Sequence, residues 1–160
     1  MVTHTASAID VLADLIDAFD ALDPDRAGAL FADDGTFVFP FAPPGFPAKA
    51  AGQREILRLL RKMAVFDRIE LYDRELHATE DPEIVFATFA SRAQLSGRPY
   101  ANRYICRARI RDGRILEYQE HFGPFALIAA MRARQRLAAL AFCALPPRVA
   151  SWIGKRQGGR

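Results

Sequence analysis

Four segments in the second half of the chain alternate apolar and polar residues with a period of two. They span about residues 69–78, 84–95, 99–111 and 114–122, and turn-forming residues separate them. Such alternation is typical of half-buried strands. Asp112-Gly113, between the last two segments, favours a tight hairpin because both turn positions take positive φ. The sequence therefore predicts a four-stranded meander, and the length of its strands indicates a bent, strongly twisted sheet.

Helical periodicity precedes this meander. Apolar residues recur at three- and four-residue spacing after Ser7, which can cap a helix, and again over about residues 53–65. Asp23-Pro24 starts a second helix that we expect to end near Phe31, and residues 36–41 alternate as a short strand. The order helix, helix, strand, helix, four strands predicts an α+β fold. Helices that close the bent sheet would form a cone with a ligand pocket at its open mouth.

The length of 160 residues is typical of one domain. We expect residues 1–125 to form the cone and residues 126–160 to form a basic helical extension packed on the same domain, with its last residues disordered. This extension could instead lie on a membrane surface, with Trp152 as an anchor. We favour packing on the domain or on a partner copy, because the arginines of the extension do not fall on one stripe.

Composition argues against several classes of protein. The apolar runs are too short to cross a membrane, the N-terminus lacks a secretory pattern, and Cys106 and Cys143 are far apart. We therefore expect a cytoplasmic protein without a disulfide framework. Three scattered histidines predict no metal site, and the absence of nucleotide-binding motifs predicts no cofactor. Nucleic-acid binding is not expected either, because no aromatic stacking platform accompanies the basic residues.

Glu120 is the candidate catalytic residue, because it alternates with Tyr118 and Phe122 on the apolar face of the last predicted strand. Burial of a carboxylate among apolar neighbours raises its pKa, which suits a general acid or base near neutral pH. Structural ion pairs occupy such positions as well. Glu120 could therefore pair with an arginine such as Arg103 or Arg54, or lie in water at the rim of the sheet.

Polar residues on the same face are candidate substrate-binding groups: Tyr100, Asn102, Tyr104 and Tyr118. They could orient a substrate oxygen through hydrogen bonds. Alternatively, Asn102 satisfies backbone groups, and the tyrosines are core residues whose hydroxyls reach water. Three aromatic residues alternate on the short first strand and are either a hydrophobic wall for a flat ligand or plain core: Phe37, Phe39 and Phe41.

The element order and several local strings resemble the SnoaL-like group of the nuclear transport factor two-like superfamily. The similar strings are LFADDGTFVFPFAPPG at 30–45, AGQREI at 51–56, YANRY at 100–104 and DGRILEYQEHFGPF at 112–125. That group includes ketosteroid isomerases, polyketide cyclases, phenazine-biosynthesis proteins, epoxide hydrolases, dehydratases and domains with no chemistry. The resemblance implies a curved sheet, a deep pocket and a homodimer packed through the sheet.

Individual positions show which active-site residues of the group have a counterpart in this sequence. Aligned on FADDGT, the catalytic Asp of ketosteroid isomerase falls on Phe39 and its oxyanion Tyr falls on Leu15, and neither side chain can do that work. Steroid isomerisation by that mechanism is therefore not expected. The phenazine proteins carry an acid–base Glu in an Arg-Glu-Phe-x-Asn-Pro string. QEHFGP at 119–124 resembles it, with Glu120 at the Glu position and Gly123 in place of Asn.

Two functional interpretations follow. In the first, the protein is a cofactor-independent isomerase, cyclase or dehydratase for a hydrophobic oxygenated metabolite. Glu120 shuttles a proton, the tyrosines and Asn102 orient the substrate, and Phe39 and Phe41 line the pocket. In the second, the chain is a non-catalytic ligand-binding or dimeric assembly module of the same fold. The sequence names no substrate and leaves open whether there is a reaction.

Overall fold

The computed structural model describes residues 7–42, 46–95 and 97–130, apart from the side chains of residues 63 and 64. The predicted continuation of the C-terminal helix beyond residue 130, with Cys143 and Trp152, therefore lies outside the described residues. Within the described ranges the helices are α1 (Ala8–Asp20), α2 (Pro24–Ala29), α3 (Gln53–Leu60), a 3-10 helix (Arg61–Val65) and α4 (Pro124–Ala130). None of these helices is both long and apolar enough to cross a bilayer.

Local sequence accounts for where the first two helices begin. Ser7 and Asp10 form a reciprocal capping box at the start of α1, with both backbone N–H groups accepted by the opposite side chain. Asp23 accepts the backbone N–H of Arg26, and Pro24 occupies the first turn of α2, where its missing N–H leaves no bond unmade. The predicted helix starts are confirmed, although α2 ends at Ala29 rather than near Phe31.

A six-stranded mixed sheet forms the other layer. Its strands are β1 (Phe31–Val38), β2 (Lys49–Ala51), β3 (Phe66–Ala78), β4 (Ile84–Leu95), β5 (Arg98–Arg111) and β6 (Arg114–Phe122). The spatial order is β2-β1-β6-β5-β4-β3, with β1 parallel to β6 and all other neighbours antiparallel. The predicted α+β class and four-stranded meander are confirmed.

The observed elements differ from the prediction at several points. The first strand begins at Phe31 instead of near residue 36, since the ADDG segment runs along β6 through a register irregularity. The short strand β2 was not predicted, because three residues are too few to show a period. The helix predicted over 53–65 changes to 3-10 geometry at Arg61, a common way for a helix to tighten at its end.

A bulge interrupts β3 close to the end of α1. The register shifts between Tyr72 and Glu75, and Asp73 has a φ of 51°. Asp20, at the end of α1, accepts the backbone N–H of Leu71 at 2.7 Å, and Arg74 pairs with Asp20 at 2.8 Å. A bulge leaves backbone groups unpaired and increases local twist. Here Asp20 binds the backbone next to the bulge, and Asp20 and Arg74 together tie the end of α1 to β3.

The core lies between α1 and the inner face of the sheet. Leu12, Leu15 and Ile16 of α1 are fully buried there. Four aromatic rings pack together at centroid distances of 4.7–6.5 Å: Phe19, Phe31, Phe37 and Tyr118. Such edge-to-face and stacked pairs stabilise a core beyond simple area burial. The core fills the back of the cone and leaves a cavity toward its mouth.

Candidate functional site

An apolar cavity of about 350 Å³ opens between the inner face of the sheet, α1, α3 and α4. Aromatic and aliphatic side chains make up most of its wall. Four of the lining residues are polar: Lys62, Tyr100, Tyr104 and Glu120. A concave, mostly apolar site with a few convergent polar groups is the usual form of a small-molecule site.

Glu120 reaches the cavity because the alternation of β6 places Tyr118, Glu120 and Phe122 on the inner face. Its Oε2 accepts a hydrogen bond from the Tyr118 hydroxyl at 2.9 Å. Among the described residues no arginine forms an ion pair with it, so the structure does not adopt the predicted alternative of pairing with Arg103 or Arg54. Burial raises the pKa of Glu120 to about 7, and the hydrogen bond from Tyr118 partly opposes that rise.

Tyr118 lies behind Glu120, not in the cavity wall. Its ring is fully buried, and its hydroxyl is 2.9 Å from Glu120 Oε2 and 2.9 Å from Cys106 Sγ. Burial raises the pKa of both the phenol and the thiol, so both stay protonated at neutral pH. The structure thus places the predicted substrate-binding Tyr118 against Glu120 instead of against a ligand.

Tyr100 and Tyr104 line the cavity as a hydrogen-bonded pair. Their hydroxyls are 3.1 Å apart, and the Tyr104 hydroxyl is 3.2 Å from Oγ of the buried Ser91. Burial raises the pKa of both phenols, and the negative charge of Glu120 raises them further. The pair therefore remains protonated and offers hydroxyl groups within electrostatic reach of Glu120.

Asn102 lies beside this pair but outside the cavity lining. Its Oδ1 accepts the backbone N–H groups of Arg103 and Gly123, both at 2.9 Å, while its Nδ2 donates to Gly123 O at 3.1 Å and to the Tyr100 hydroxyl at 2.7 Å. A Cβ at position 123 would lie only 2.9 Å from Asn102 Oδ1. Glycine at this position therefore permits a clamp between β5 and the start of α4. Asn102 satisfies backbone groups, as the alternative interpretation expected, and it also bonds to Tyr100, while its contact with a substrate stays a prediction.

The predicted aromatic wall is present in part. Phe37 and Phe39 line the cavity, whereas Phe41 is 66% exposed and packs against the ring of His121 at 5.4 Å. The placement of Phe41 in the wall is corrected because β1 ends at Val38. The chain then turns, with Ala42 N–H bonded to Phe39 O, so the alternation does not continue.

Several lining residues were not predicted from the sequence. Phe46 reaches the cavity from the loop before β2, Leu127 from α4, and Lys62 from the 3-10 helix. Loop and helix-end residues show no period, so only tertiary packing brings them to the site. Ser91 could have been found, because a serine at the inner-facing position after Phe89 is a polar residue in an apolar alternation.

The sequence also matches a known family over most of this architecture. The model of the SnoaL-like domain family matches residues 12–118, which include most of α1 and most of the sheet. The chain belongs to the SnoaL-like domain family. The family match confirms the resemblance that the local strings indicated.

Individual relatives of this SnoaL-like domain agree with that assignment. An uncharacterised PhzA/B-like protein of Pseudomonas aeruginosa is 31% identical over 104 residues, which cover 64% of this chain and 74% of that protein. A candidate isomerase from Bacillus subtilis has a similar solved structure, with a TM-score of 0.72 and 24% identity over 77% of this chain and 91% of the other. A candidate polyketide cyclase from Pseudomonas putida gives a TM-score of 0.68 and 18% identity, covering 79% and 99%. At these identities the structural neighbours show a shared fold.

The cavity of this SnoaL-like domain holds one carboxylate, two protonated phenols and the side chain of Lys62 in an otherwise apolar wall. Such a set can accept a proton, return it and donate hydrogen bonds to an oxygen. Within residues 7–42, 46–95 and 97–130, no three His, Cys, Asp or Glu side chains are grouped as metal ligands. The carboxylate and the two phenols supply one proton acceptor and two hydrogen-bond donors at the cavity wall.

Proposed function

We propose that this protein is a cofactor-independent isomerase, cyclase or dehydratase that acts on a small hydrophobic, oxygenated metabolite through general acid–base catalysis. The observation that carries the proposal is Glu120: a carboxylate in an apolar cavity, with no arginine partner among the described residues and a pKa of about 7. A group that titrates near the working pH can both accept and return a proton. The isomerase and cyclase names of similar structures support the same reaction classes.

The first step is removal of a proton from a carbon next to a carbonyl group. Glu120 takes the proton, and the electrons of the C–H bond move onto the carbonyl oxygen to form an enolate. A hydroxyl of Tyr100 or Tyr104 donates a hydrogen bond to that oxygen, where the negative charge develops. Return of the proton from Glu120 to a different carbon gives an isomer. Return to a leaving hydroxyl group gives water and a dehydrated product.

The cavity indicates the kind of ligand. Its volume of about 350 Å³ suits a small ring system, near the lower end of the range for ligand pockets. Phe39 and Phe122, whose ring centroids are 5.8 Å apart, offer apolar surfaces to a flat molecule. We therefore propose a cyclic or aromatic compound that carries a carbonyl or hydroxyl group.

The test is hydrogen–deuterium exchange at carbon. Ring ketones, hydroxyquinones and phenazine carboxylic acids are incubated with the protein in D₂O, and loss of the α-proton signal is followed by NMR. We expect the wild type to accelerate exchange in at least one class, and Glu120→Gln to reduce the rate by about 10²–10⁴-fold. Glu117→Gln is the matched control, because Glu117 lies on the outer face of the same strand and pairs with Arg107 at 2.8 Å. Full exchange activity in Glu120→Gln would exclude the proposed role.

A second function, a dimeric assembly module, has one specific observation in its favour. Ile105 on the outer face of β5 is 55% exposed, and its cross-strand neighbour His121 contacts the exposed ring of Phe41. We propose that this apolar patch packs against a second copy of the chain. Wild-type protein should then run as a dimer in light scattering, and Ile105→Glu should run as a monomer. A wild-type monomer at micromolar concentration would remove this proposal.

We also propose that the protein is cytoplasmic and that the C-terminal extension packs on the cone through its described start, residues 126–130. Leu127 and Ile128 of α4 are buried, and Leu127 lines the cavity, which supports packing of at least the start of this segment. Truncation after residue 125 should therefore lower the melting temperature and open the cavity. An unchanged melting temperature would contradict the packing.

A further inference from the structure

A hydrogen-bonded chain of three side chains runs from the buried core to the cavity wall: Cys106, Tyr118 and Glu120. We propose that Tyr118, supported by Cys106, is a positioning residue for Glu120: it holds Oε2 from behind and presents Oε1 to the cavity as the oxygen that exchanges the proton. This inference rests on the proposed acid–base function of Glu120. Its test measures the carboxyl group directly and needs no turnover.

The direction of the chain follows from counting protons. The Tyr118 hydroxyl lies 2.9 Å from both Cys106 Sγ and Glu120 Oε2, but it has one proton to donate. An ionised carboxylate is a much stronger acceptor than a thiol sulfur. With Glu120 ionised, the phenol therefore donates to Oε2, and its oxygen is left to accept the S–H of Cys106.

The second carboxylate oxygen is left free for chemistry. No described group forms a hydrogen bond with Oε1 of Glu120, whereas Oε2 has Tyr118. In the described part of the chain no buried side-chain oxygen or nitrogen lacks a partner, so Oε1 cannot be sealed inside the protein. Since Glu120 lines the cavity, Oε1 is the oxygen that is open to it. A bound molecule would meet that oxygen.

Packing holds the phenol in place. The Tyr118 ring meets Phe37 edge-on at 4.7 Å and Phe19 at 6.0 Å, and it has no exposed surface. A ring so enclosed keeps one rotamer, because core side chains fill their sites closely. The hydroxyl is therefore fixed before any ligand binds, which is the condition for orienting the carboxylate.

The phenol and thiol groups around Glu120 keep their protons at neutral pH, so they do not titrate together with its carboxyl group. Tyr118 and Cys106 face it from behind, Tyr100 and Tyr104 lie on the cavity wall, and burial raises the pKa of all four. Lys62 of the 3-10 helix lines the same cavity, while α1 and β1 contribute the apolar rings of Phe19 and Phe37, and β3 contributes Leu71. With the phenols and the thiol holding their protons, the carboxyl group of Glu120 changes charge alone.

The first experiment titrates the side-chain carboxyl groups of the full-length protein by carbon-13 NMR, with Glu120→Gln to assign the signal. We expect Tyr118→Phe to raise the pKa of Glu120 by about one unit above the wild-type value, because the carboxylate loses its only described donor. Tyr72→Phe is the matched control. Tyr72 lies on β3 and packs under Arg92, so its loss should leave the titration unchanged.

The second variant is Cys106→Ser, which is smaller and avoids a change to the aromatic cluster. A serine hydroxyl is a stronger donor than a thiol, so it should strengthen the chain and lower the pKa of Glu120 by roughly half a unit. Opposite shifts in the two variants would support the inference. If Tyr118→Phe folds and its Glu120 titrates as in the wild type, the inference is overturned. If Tyr118→Phe does not fold, a wild-type titration of Glu120 in Cys106→Ser overturns it.

These outcomes are separate from those of the proposed function. If Glu120→Gln keeps its proton-exchange activity while the pKa shifts occur, the catalytic proposal fails and the description of the buried chain holds. If exchange depends on Glu120 but the pKa of Glu120 is the same in Tyr118→Phe, the catalytic proposal holds and the positioning role of Tyr118 fails. Where exchange is detected, the midpoint of its pH profile should move upward in Tyr118→Phe by the same amount as the NMR titration.

Discussion

Glu83 and Glu120 adjoin the same sheet, yet their pKa values move in opposite directions. Glu83, just before β4, accepts hydrogen bonds from Arg111 at 2.6 Å and 3.0 Å, and these bonds lower its pKa. Glu120, on the inner face of β6, has a phenol in place of an arginine, and burial raises its pKa to about 7. Burial beside a phenol therefore raises the pKa of one carboxyl group, whereas arginine partners at the protein surface lower the pKa of the other.

The two faces differ in how they treat charge. On the outer face, Arg107, Arg109 and Arg111 alternate along β5 and meet Glu117 and Glu83. Each of these pairs is partly exposed to water, so its contribution to stability is small. On the inner face, the same strand presents Tyr100, Tyr104 and Cys106 to the core. Adjacent residues such as Cys106 and Arg107 therefore differ completely, the first being buried and the second a partly exposed charge.

The largest expected effect is on stability, and it tests whether Phe39 is buried and Phe41 exposed as the structure shows. Phe39 is buried against three other rings, whereas Phe41 is largely exposed. Phe39→Ala should lower the free energy of unfolding by about 3–5 kcal/mol. Phe41→Ala should change it by about 0.5 kcal/mol or less. Urea denaturation of both variants makes the comparison, and similar losses would show that the placement of Phe41 is wrong.

The next largest effect is the pH dependence of folding stability that Glu120 causes. Since the pKa of Glu120 is raised from 4.5 to about 7, its protonated form favours the folded state, and that contribution is lost as the pH rises through 7. Glu120→Gln removes the penalty of the buried charge. It should stabilise the fold by on the order of 2 kcal/mol at pH 8 and have little effect at pH 4. Thermal unfolding at both pH values checks this, and a variant less stable than wild type at pH 8 would contradict it.

The smallest effect should have the opposite dependence on pH. The pKa of Glu83 is lowered, so its ion pairs stabilise the folded state above the ordinary carboxyl pKa, and this contribution is lost as the pH falls through the folded value. Glu83→Gln should therefore be slightly less stable than wild type at pH 7. The difference should fade in acid and at high salt, because exposed ion pairs are screened. A difference that persists at high salt would indicate a role beyond charge pairing.

Much of the fold could be predicted because its helices and long strands have a periodic pattern of apolar residues. The predicted strands at 84–95 and 114–122 coincide with β4 and β6, and the alternation along β5 places Tyr100 and Tyr104 inside as expected. Periodicity carries this information over many residues, so local errors do not remove it. The short strand β2 and the switch to a 3-10 helix at Arg61 left no such signal.

The site was predicted less completely, for a physical reason. Alternation tells which face a residue occupies but not how deep it lies, so Tyr118 and Tyr104 looked equivalent in sequence. Tyr118 is behind Glu120, and Tyr104 is in the cavity wall. The role of Asn102 depends on Gly123, which a turn brings within hydrogen-bond distance. Such relations belong to the packing of separate elements and are not visible in any one segment.

The most direct test of the account is the pKa of the Glu120 carboxyl group in the wild-type protein. Carbon-13 NMR of the side-chain carboxyl groups, assigned with Glu120→Gln, gives this value without a substrate. An apolar cavity in which none of the described arginines pairs with Glu120 predicts a titration near pH 7, well above the ordinary value of 4.5. A titration at or below 4.5 would mean that the carboxylate is solvated or paired, and Glu120 would then be ionised at neutral pH as an ordinary structural anion.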